Sequence, residues 1–464
     1  MIKLIAAVSN NRGIGKDNQI PWRLQKEMNH FREVTTLAAK NKYNIVIMGR
    51  KTWESIPECF RPLKKRKNYI ISSKLLYQDY VFKSLKIALL HAKRDPHCDT
   101  IFIIGGEQLY KEAILSCDEI ILSVIRKKYD CDRYFPLIPT DFSINSYISC
   151  EDIDTKTNKK VKYNIINYSK SKNKYDHPEF QYISAIRDIL SYGYESDDRT
   201  GVGTLSKIGV NMRFDISKYF PLLTTKKTFM KAIIHELLWF LRGETNATLL
   251  KDKGVRIWDG NTSREFLDNL GFTDREVGDG GPIYGFNFRH YGAEYINCQT
   301  DYKGFGVDQV KYVIDLIKNN PTSRRILINL WNPTVLNEMV LPPCHMVYQF
   351  FVKNNKLSCS MYQRSGDMGL GVPFNIASAT LMTHIFAKIC KVEVGEFVHT
   401  IGDAHIYKNH ITQLEEQIKR NPTPFPILEI NKEKEYNKVE DFEYKDFKLI
   451  GYLPHDSIKM KMAI

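Results

Sequence analysis

The sequence predicts an N-terminal α/β sheet domain, a short linker and a larger α+β domain. In residues 1–168, short apolar runs alternate with helical stretches, which is typical of a mostly parallel sheet. Residues 169–176, SKSKNKYD, show no apolar period and are predicted to form the linker. Residues 177–464 combine long apolar helices with further strands, so we expect them to form one large domain.

Apolar periodicity places the elements of the N-terminal domain. Buried strands are predicted at 2–8, 44–48, 68–72 and 100–106, and helices at 83–93 and 107–115. A further helix carries Leu24, Met28, Phe31 and Val34 on one face. Strands at about 119–125, 142–150 and 161–168 follow without intervening helices, and we expect them to close the sheet with an antiparallel edge.

The C-terminal domain is less regular, and only its strongest elements are predicted. These are helices at 229–241 and 375–390 and strands at 325–330 and 346–351.

The composition excludes several classes of protein. The chain is 43% hydrophobic and 26% charged, which excludes wholesale disorder and collagen-like repeats. No uncharged apolar stretch of about 18 residues is present to cross a membrane, and the opening MIKLIAAV is too short for a signal peptide. The nine cysteines include no C-x-x-C pair, so we expect no disulfide framework, no metal site and a reducing, cytoplasmic location.

The net charge of +14 has two interpretations. It can reflect a solvated basic surface, or it can serve anionic partners such as nucleotides, polycarboxylates or nucleic acid. Composition does not distinguish these two interpretations of the charge, so the sequence motifs have to decide between them.

Three motifs of the N-terminal domain suit a site for a heterocycle and a phosphate. Glu27 follows a Gly-rich loop (13–22) and lies among apolar residues, where burial should raise the pKa of its carboxyl. GRKTWESIP (49–57) places Gly49, Arg50 and Lys51 where a strand runs into a helix, which suits phosphate binding. IIGGEQLY (103–110) repeats that arrangement, and its paired glycines would let a pyrophosphate approach the backbone closely.

As a set, these motifs resemble the dihydrofolate reductase family over essentially all of 1–168. The resemblance also rests on the AAV strand, RPL (61–63) and Tyr134-Phe135-Pro136. It implies a doubly wound dihydrofolate reductase-like sheet and reduction of dihydrofolate with NADPH. It further implies that Glu27 binds the pterin and that Arg66 pairs with the glutamate α-carboxylate of the folate.

The same resemblance implies the remaining contacts of this site. The folate pocket would include Ile5, Ala7, Met28, Phe31, Ser55, Ile56, Leu63, Ile104, Tyr110 and Ser123. NADPH would contact Ala7, Ile14, Gly15, Gly49, Arg50, Lys51, Thr52, Ser72, Ser73, Gly105, Gly106, Glu107, Gln108, Leu109 and Tyr110. Arg50 with Ser72 and Ser73 would hold the 2′-phosphate. Met28 stands where an aromatic residue is frequent, and Ser123 where Thr is usual.

In the C-terminal domain, Cys344 follows two prolines and has arginines in several nearby motifs. QRSGD (363–367), SRR (323–325) and DDRTGVGT (197–204) supply four arginines beside turns, which suits one phosphate dianion. We expect these cations to lower the pKa of the Cys344 thiol and to make it a nucleophile. Glu236 lies within the otherwise apolar HELLWFLRG (235–243), where a carboxylate is costly unless it is hydrogen-bonded or functional.

These motifs, with FPLLTTKK, IWDGN, PPCH, GDAHIYKNH and the terminal IKMKMAI, resemble the thymidylate synthase family from about His177 onward. The whole chain therefore resembles the bifunctional dihydrofolate reductase–thymidylate synthase family. The resemblance implies that Cys344 adds to C6 of dUMP and that C5 then attacks the methylene of 5,10-methylenetetrahydrofolate. Glu236 would handle protons through water, and a hydride from the folate would give dTMP and dihydrofolate.

The resemblance also implies the binding residues of this second site. Catalysis would involve Cys344, Glu236, Tyr284 and Asp367, and dUMP would contact Arg199, Arg324, Arg325, His345, Gln363, Arg364, Ser365, Asp367, Asn375, His405 and Tyr407. The folate would contact Lys226, Ile257, Trp258, Asn261, Leu370, Gly371, Phe374 and Ala463, with Lys226 at its glutamate tail. Gly280 stands where Leu is usual and would remove an apolar contact near the folate.

Two points concern partners. In the resembling family the arginine pair, here Arg324 and Arg325, comes from the partner chain, so we expect a homodimer through the synthase domain. The alternative function is a basic RNA-binding protein with one or both catalytic sites vestigial. Against it, every expected catalytic residue type is present and no RNA-binding module is evident.

Overall fold

The structure, a computed structural model, describes residues 1–74, 80–170 and 177–462. The chain divides into two compact units. Unit 1 consists of Met1–His177 with the short segments Asn421–Phe425 and Ile450–Pro454. Unit 2 contains the rest of the chain from Pro178 on. Of the predicted linker, Ser169 and Lys170 belong to a strand and 171–176 lie outside the described residues, so the predicted domain boundaries stay a prediction.

Unit 1 is built on one large sheet with helices between its strands. Its strands are β1 (Ile2–Ser9), β2 (Gly13–Gly15), β3 (Tyr43–Gly49), β4 (Arg66–Ile71), β5 (Val81–Phe82), β6 (Cys98–Ile103), β7 (Glu119–Ile125), β8 (Arg133–Tyr134), β9 (Phe142–Asp154) and β10 (Lys159–Lys170). Its helices are α1 (Gln25–Thr36), α2 (Arg50–Ser55), α3 (Leu85–Arg94) and α4 (Glu107–Ala113).

The sheet of unit 1 has the strand order β5-β4-β3-β6-β1-β7-β10-β9. The first six of these strands run parallel, and β10 is antiparallel to both β7 and β9. Ile45–Met48 in β3 are wholly buried because helices cover both faces of a parallel sheet. The predicted doubly wound α/β sheet is confirmed.

One prediction about this sheet was wrong. We expected 119–125 to belong to an antiparallel edge, but β7 pairs in parallel with β1. The reason is that α4 lies between β6 and β7, and a helical crossover returns the chain in the same direction. Only β9 and β10, which follow without a helix, form the antiparallel edge.

Unit 2 combines a six-stranded sheet with helices. Its helices are α5 (Phe180–Tyr192), α6 (Met230–Leu241), α7 (Thr248–Lys251), α8 (Arg264–Asn269), α9 (Tyr284–Arg289), α10 (Gln309–Asn319), α11 (Gly371–Cys390) and α12 (Ile411–Gln417). Its strands are β11 (Tyr194–Ser196), β12 (Thr204–Phe214), β13 (Leu327–Asn329), β14 (His345–Lys353), β15 (Lys356–Asp367), β16 (Glu393–Tyr407), β17 (Ile427–Ile430) and β18 (Phe447–Ile450).

The sheet of unit 2 has the order β11-β12-β16-β15-β14-β13, and β15 and β16 form its parallel pair. α11 packs on β15 and β16, and its side chains are apolar and buried on nearly every side. The predicted helices and strands of this half are present, with α11 beginning four residues earlier than expected, at Gly371. The α+β class is confirmed. Among the described residues, no helix is long and apolar enough to cross a membrane.

A buried carboxylate near the start of unit 2 holds a turn that precedes α6. Glu179 is completely buried, and its Oε2 accepts hydrogen bonds from the N–H (2.9 Å) and hydroxyl (2.6 Å) of Thr224. Its Oε1 accepts the same pair of bonds from Thr225 at 2.9 and 2.6 Å. The side chain therefore binds the chain in TTKK to the beginning of α5.

We expect Glu179→Ala to destabilise unit 2, because the four donors would lose their carboxylate in a dry environment. The free energy of unfolding should fall by about 3 kcal/mol. Thermal and denaturant unfolding of the full chain measures the loss, with Glu415→Ala on the exposed face of α12 as the matched control. Equal effects of the two substitutions would contradict the role given to Glu179.

Candidate active sites

The first candidate site lies in unit 1 beside Glu27. This residue is in the first turn of α1, and burial raises the pKa of its carboxyl to about 7 against an opposing hydrogen bond with Ser123. Ser123 is 3% exposed and lies opposite Ala7 in the parallel pair β1–β7. The sequence expectation of a raised carboxyl pKa at this position is met, and near neutral pH both protonation states of Glu27 are populated.

Apolar side chains form a half-open wall around this carboxyl. The predicted pocket residues of this kind pack partly buried against one core cluster that also contains Ile5: they are Ala7, Phe31, Ile56, Leu63 and Ile104. Met28 is 45% exposed, although the helix face on which it lies is otherwise apolar. Such a wall, apolar but open to solvent, is what a flat heterocycle needs for burial.

Arg66 is fixed at the side of this wall. Its Nη1 donates to Thr35 Oγ1 at 2.6 Å and its Nε donates to the Lys64 carbonyl at 3.2 Å. The guanidinium carbon lies 5.9 Å from the centre of the Phe31 ring. The remaining N–H groups of a planar guanidinium can pair with a carboxylate in bidentate geometry.

The two glycine motifs meet in space. A β-carbon on Gly49 would lie 3.9 Å from both the Gly105 carbonyl oxygen and the Gly106 nitrogen. Gly105 has a φ of +124°, which favours glycine, and a β-carbon there would lie 3.4 Å from the hydroxyls of Thr52 and Tyr110. The ends of β3 and β6 thus form one glycine-lined floor at the starts of α2 and α4, which fits the approach of a dinucleotide pyrophosphate.

The cations near this floor are accessible. Arg50 forms an ion pair with Glu54 (2.6 Å), both partners being partly exposed, and such a pair exchanges readily for a phosphate. Lys51 and Ser73 are exposed, whereas Ser72 is 7% exposed and accepts a hydrogen bond from the Lys74 N–H at 3.0 Å. The donor set therefore fits a phosphorylated dinucleotide. The other predicted contacts, Ser55, Ile14, Gly15, Glu107, Gln108 and Leu109, lie in α2, β2 and α4.

The second candidate site lies in unit 2 around Cys344, directly before β14. Its backbone N–H donates to the hydroxyl of Tyr284 at 2.7 Å. Arg364 Nη2 lies 3.9 Å from the sulfur, and the guanidinium is held by the carbonyls of Pro343 (2.9 Å) and Pro342 (3.0 Å). The two prolines thus aim the arginine at the thiol.

The expected direction of the thiol pKa was wrong. Burial raises the pKa of Cys344, and the lowering influences of Arg364, Tyr284 and Arg199 do not overcome it. The physical reason is that the sulfur is withdrawn from water, which disfavours the thiolate more than two cations favour it. The arginines therefore limit the cost of forming the thiolate and do not create it.

Glu236 shares a neighbour with this thiol, the hydroxyl of Tyr284. Its Oε1 accepts a hydrogen bond from Trp258 Nε1 at 2.8 Å, and burial raises the pKa of the carboxyl to about 7. Tyr284 lies near both Glu236 and Cys344, and its ring centre is 4.7 Å from that of His345. The site thus combines a thiol with a carboxyl group that can exchange protons at neutral pH.

A chain of hydrogen bonds sets the orientation of Asn375. Gln363 Nε2 donates to the Ser365 carbonyl (2.9 Å), an unambiguous acceptor, and also to Asn375 Oδ1 (2.9 Å). Asn375 Nδ2 therefore faces His345 Nε2 (3.0 Å), which must accept, since burial keeps the imidazole neutral with a pKa of about 4. His345 Nδ1 then donates to Tyr348 Oη at 2.8 Å. One N–H and one carbonyl lone pair of Asn375 remain for a ligand.

Sequence reasoning missed the far end of this chain. His399 is wholly buried on β16 and its Nε2 lies 2.8 Å from Gln363 Oε1, so the imidazole donates to the amide. Burial lowers the pKa of His399 to about 3, which keeps it neutral. A signal was present, because a histidine two residues after the buried Phe397 falls on the buried face of an alternating strand.

Asp367 lies at the end of β15, where the chain turns into α11. It accepts hydrogen bonds from the N–H groups of Gly369 (2.8 Å) and Leu370 (3.2 Å). Burial would raise the pKa of Asp367, but His410 and these N–H groups lower it, so the carboxylate is ionised. His410, which sequence reasoning also missed, is buried and contacts the carbonyl of Lys461 at 2.7 Å.

Lys226 differs from its expected position at a glutamate tail. The side chain is 6% exposed and its Nζ donates to the Gly369 carbonyl. Burial lowers the pKa of the amine to about 8, while Asp367 and Glu179 act in the opposite direction. The structure thus places Lys226 as an internal support of the Asp367 turn, and its ammonium is occupied within the protein.

The arginines fall into two groups. Arg199 acts on the Cys344 thiol, and its loop is held by Asp198, which accepts from the N–H groups of Thr200 (2.9 Å) and Gly203 (2.8 Å). Arg324 and Arg325 are exposed just before β13 and are not among the groups that shift the thiol pKa. The described part of one chain therefore brings Arg199 and Arg364, and not the arginine pair, to the sulfur.

The remaining predicted residues line the surroundings. His405 is 8% exposed at the end of β16, with its ring centre 5.1 Å from that of Tyr407. A β-carbon on Gly371 would lie 3.6 Å from Asp367 Cβ and 3.7 Å from Asn375 Oδ1. Half-buried and buried positions are taken by Ile257, Asn261, Leu370 and Phe374. Ala463 lies outside the described residues.

The expected loss of an apolar contact at Gly280 is offset within the chain. A β-carbon on this residue would lie 2.5 Å from Cδ1 of Ile283, which is wholly buried. Ile283 therefore fills the space that a larger residue 280 would take.

Comparisons with known proteins identify a family for each half of the chain. The family model described as dihydrofolate reductase matches residues 1–170, and the model described as thymidylate synthase matches 180–464. The chain is 45% identical to a bifunctional dihydrofolate reductase-thymidylate synthase of Zea mays, covering 100% of this chain and 96% of that protein. It is 45% identical to the protein of the same description from Paramecium tetraurelia (99% and 98% covered) and 43% identical to that of Leishmania amazonensis (99% and 95%).

These matches favour the two activities over the RNA-binding alternative. Both families cover their half of the chain, and the full-length relatives carry both descriptions on one polypeptide. NADPH and 5,10-methylenetetrahydrofolate are the cofactors of the two reactions. The chain belongs to the bifunctional dihydrofolate reductase–thymidylate synthase family and is an enzyme that makes dTMP from dUMP and reduces the resulting dihydrofolate.

Proposed function

We propose that the two activities use separate residues: Cys344, Glu236, Tyr284, Asn375 and Asp367 for the synthase, and Glu27 with its apolar wall for the reductase. The observation that carries this assignment is the pair of partly buried carboxyls, Glu236 and Glu27, each with a pKa raised to about 7 and each in its own unit. Near a thiol, a carboxyl that exchanges protons at neutral pH suits the synthase reaction. In an open apolar wall, such a carboxyl suits the reductase reaction.

In the synthase reaction, Cys344 is the nucleophile. Its sulfur forms a bond to C6 of the uracil, and the electrons of the C5–C6 double bond move toward C5 and O4. Arg364 and the Tyr284 hydroxyl stabilise the thiolate before attack. Bound 5,10-methylenetetrahydrofolate supplies the one-carbon unit and the hydride.

Asn375 selects the base. Its remaining N–H can donate to uracil O4, and its remaining carbonyl lone pair can accept from N3–H. Cytosine presents the opposite pattern at both positions and would leave the amide of Asn375 unpaired, which excludes it.

The other residues of the site have further roles. Glu236 exchanges protons at O4, and Asp367 binds the pterin ring from its fixed turn. Arg199, Arg364 and Ser365 bind the phosphate, and His405 with Tyr407 the ribose.

In the reductase reaction, Glu27 binds the pterin nitrogen and amino group within the wall of Phe31, Ile56 and Leu63. Arg66 pairs with the α-carboxylate of the folate. The glycine floor of Gly49, Gly105 and Gly106 with Arg50 and Lys51 holds the dinucleotide. NADPH supplies the hydride when it is bound there, and Glu27, protonated half of the time near pH 7, supports protonation of the substrate.

The synthase half is proposed to form a homodimer through the open face of its sheet. Residues in register across four strands are partly or largely exposed: Asn211, Thr400, Tyr362 (43%) and Val347. The adjacent row, which faces the core, is buried: Met212, His399, Met361 and Tyr348. A second copy fits this face because a two-fold axis pairs identical patches, and it would bring Arg324 and Arg325 to the partner's phosphate site.

A cytoplasmic location is also proposed. All nine cysteines are free thiols, six of them at least partly exposed, which suits a reducing compartment.

We expect Cys344→Ser to abolish dTMP synthesis and to leave dihydrofolate reduction near normal, because the nucleophile belongs to one unit only. Conversely, Glu27→Ala should remove reduction and spare synthesis. Absorbance assays of both reactions on one preparation measure this, with Cys59→Ser, an exposed cysteine, as the control. A loss of reductase activity above about tenfold in a folded Cys344→Ser chain would contradict the proposal that the two activities use separate residues.

We expect Glu236→Gln to lower synthase activity. We also expect it to raise the free energy of unfolding, and this gain in stability should appear only at higher pH. The folded carboxyl has a pKa of about 7 against 4.5 ordinarily, so it binds its proton more tightly than the unfolded chain does. Ionisation therefore costs stability progressively as pH rises from about 4.5 to 7, by up to about 3 kcal/mol above pH 7. The glutamine has no charge to bury and keeps an oxygen for Trp258 Nε1.

Unfolding curves of wild type and Glu236→Gln at pH 5 and pH 8 measure this effect. The surface substitution Glu265→Gln is the matched control and should change neither curve. If the difference in unfolding free energy between wild type and Glu236→Gln does not grow from pH 5 to pH 8, the pKa of Glu236 is not raised in the folded protein.

Mixing two inactive variants tests whether each synthase site is shared between the two subunits. Cys344→Ser and Arg325→Glu should each abolish synthesis as homodimers, whereas a mixed dimer has one site with both residues intact. Unfolding and refolding the two chains together should restore at most about a quarter of wild-type activity, since random pairing makes half of the dimers mixed. Demonstrated subunit exchange without recovery would mean that Arg325 acts in its own subunit.

A further inference from the structure

The helix that carries Glu27 begins without a cap of its own. α1 starts at Gln25 and its N-cap residue is Leu24, whose side chain is 1% exposed and offers no hydrogen-bond acceptor. The first N–H groups of a helix have no partner within the helix, and their side-chain capping is worth about 1 kcal/mol. The first turn of α1 therefore depends on acceptors from elsewhere.

Asp152 of the edge strand β9 supplies one such acceptor, and Asp154 of the same strand binds the chain just before the helix. Asp152 Oδ2 accepts a hydrogen bond from the Lys26 N–H at 2.6 Å, and Asp154 Oδ1 accepts one from the Arg23 N–H at 3.0 Å. The two residues are two positions apart in a strand, so both side chains project toward α1, while Ile153 between them is 54% exposed. Asp154 is completely buried.

The hairpin that joins β9 to β10 strengthens this contact. The Thr155 N–H donates to the Arg23 carbonyl at 3.0 Å, and Lys156 Nζ donates to the Ile20 carbonyl at 2.5 Å. Asp154 is fixed in turn by the Lys156 N–H (3.1 Å) and the Thr157 hydroxyl (3.1 Å). The segment 20–26 is thus bound to this hairpin by several hydrogen bonds, directly before Glu27.

We propose that Asp152, supported by Asp154 and the β9–β10 hairpin, is a positioning residue for the reductase site that caps α1 from outside and thereby fixes Glu27 in its pocket. Glu27 follows Lys26, whose N–H is the capped group. The proposal rests on the role proposed for Glu27. Asp152 itself touches backbone only and takes no part in the chemistry.

The groups that face Glu27 make its position measurable. They are the hydroxyls of Ser123, Tyr110 and Tyr163, and burial is what raises the pKa of the carboxyl to about 7. If the first turn loosens, water reaches Glu27 and its pKa falls toward the ordinary value. A role limited to general stability would leave that pKa unchanged in the folded enzyme.

The experiment compares three variants of the full chain. We expect Asp152→Ala to lower kcat/KM of dihydrofolate reduction by about fivefold, as the loss of one cap implies, and to move the pKa of its pH profile below 7. Asp152→Asn keeps an acceptor oxygen and should restore both values. Glu151→Ala, on the same strand as Asp152, removes an exposed ion pair with Lys160 of β10 (2.7 Å) and should change neither value. Synthase activity of the same samples should stay constant.

Two outcomes would overturn the proposal: wild-type kinetics and pH profile in Asp152→Ala, or an equal fall of both activities with no shift of the pH profile. If Asp152→Ala does not fold, Asp152→Ser, too short to reach the Lys26 N–H, takes its place with the same expected results. Glu27→Ala separates the two proposals, because intact reduction in that variant would refute the role of Glu27 itself. If Glu27→Ala loses dihydrofolate reduction and Asp152→Ala does not, only the capping role proposed for Asp152 is refuted.

Discussion

Withdrawal of carboxyl groups from water is the constraint on which both sites depend. Burial raises the pKa of Glu27 and of Glu236 to about 7, and in each case one neutral hydrogen bond, from Ser123 or from Trp258, opposes it only in part. Asp367 shows the contrast, since N–H groups and His410 surround it and keep it ionised despite its burial. Donors that face a carboxylate thus oppose the effect of burial to different degrees: they prevail at Asp367, whereas Glu179, which accepts four hydrogen bonds, still has a raised pKa because it is completely buried.

The same constraint acts on the thiol. Cys344 is withdrawn from water, and its cationic neighbours reduce the resulting penalty without removing it. A dianionic phosphate bound by these arginines would reduce their effect on the sulfur still further. In the proposed mechanism, activation therefore comes largely from the stabilisation of charge that develops on the uracil, which is the part proposed for Asn375 and Glu236.

The predictable part of these sites consists of residues whose type is unusual for their surroundings. Glu236 within an apolar helix, Cys344 beside prolines and arginines, and Glu27 among Leu24, Met28 and Phe31 all stand out in the sequence. The parallel strands were also predictable, because a strand buried on both faces is a continuous apolar run. The misplaced edge at β7 does not reflect a limit of the sequence, since the helix predicted at 107–115 already separates β6 from β7 and implies a parallel return.

The unpredicted part consists of residues that act through backbone groups or through other side chains. Glu179 binds a turn 45 residues away, and His399 acts on Asn375 only through Gln363. Lys226 was expected at the glutamate tail of the folate from the family resemblance, yet in the structure it donates to the Gly369 carbonyl. No local pattern marks such partners, since strand pairing and loop packing decide them.

These supporting contacts share one physical form. Asp152, Asp154, Asp198, Asp367 and Glu179 each accept N–H groups at a place where a helix or a loop begins. A carboxylate can satisfy several N–H groups at once, and charge-assisted bonds are stronger than neutral ones. Loops that must bind changing ligands lack the regular hydrogen bonds of a sheet, so acidic side chains supply fixed acceptors in their place. The chain therefore uses carboxylates in two ways: some hold backbone N–H groups where a helix or loop begins, and Glu27 and Glu236, which face few donors, have a pKa raised to about 7.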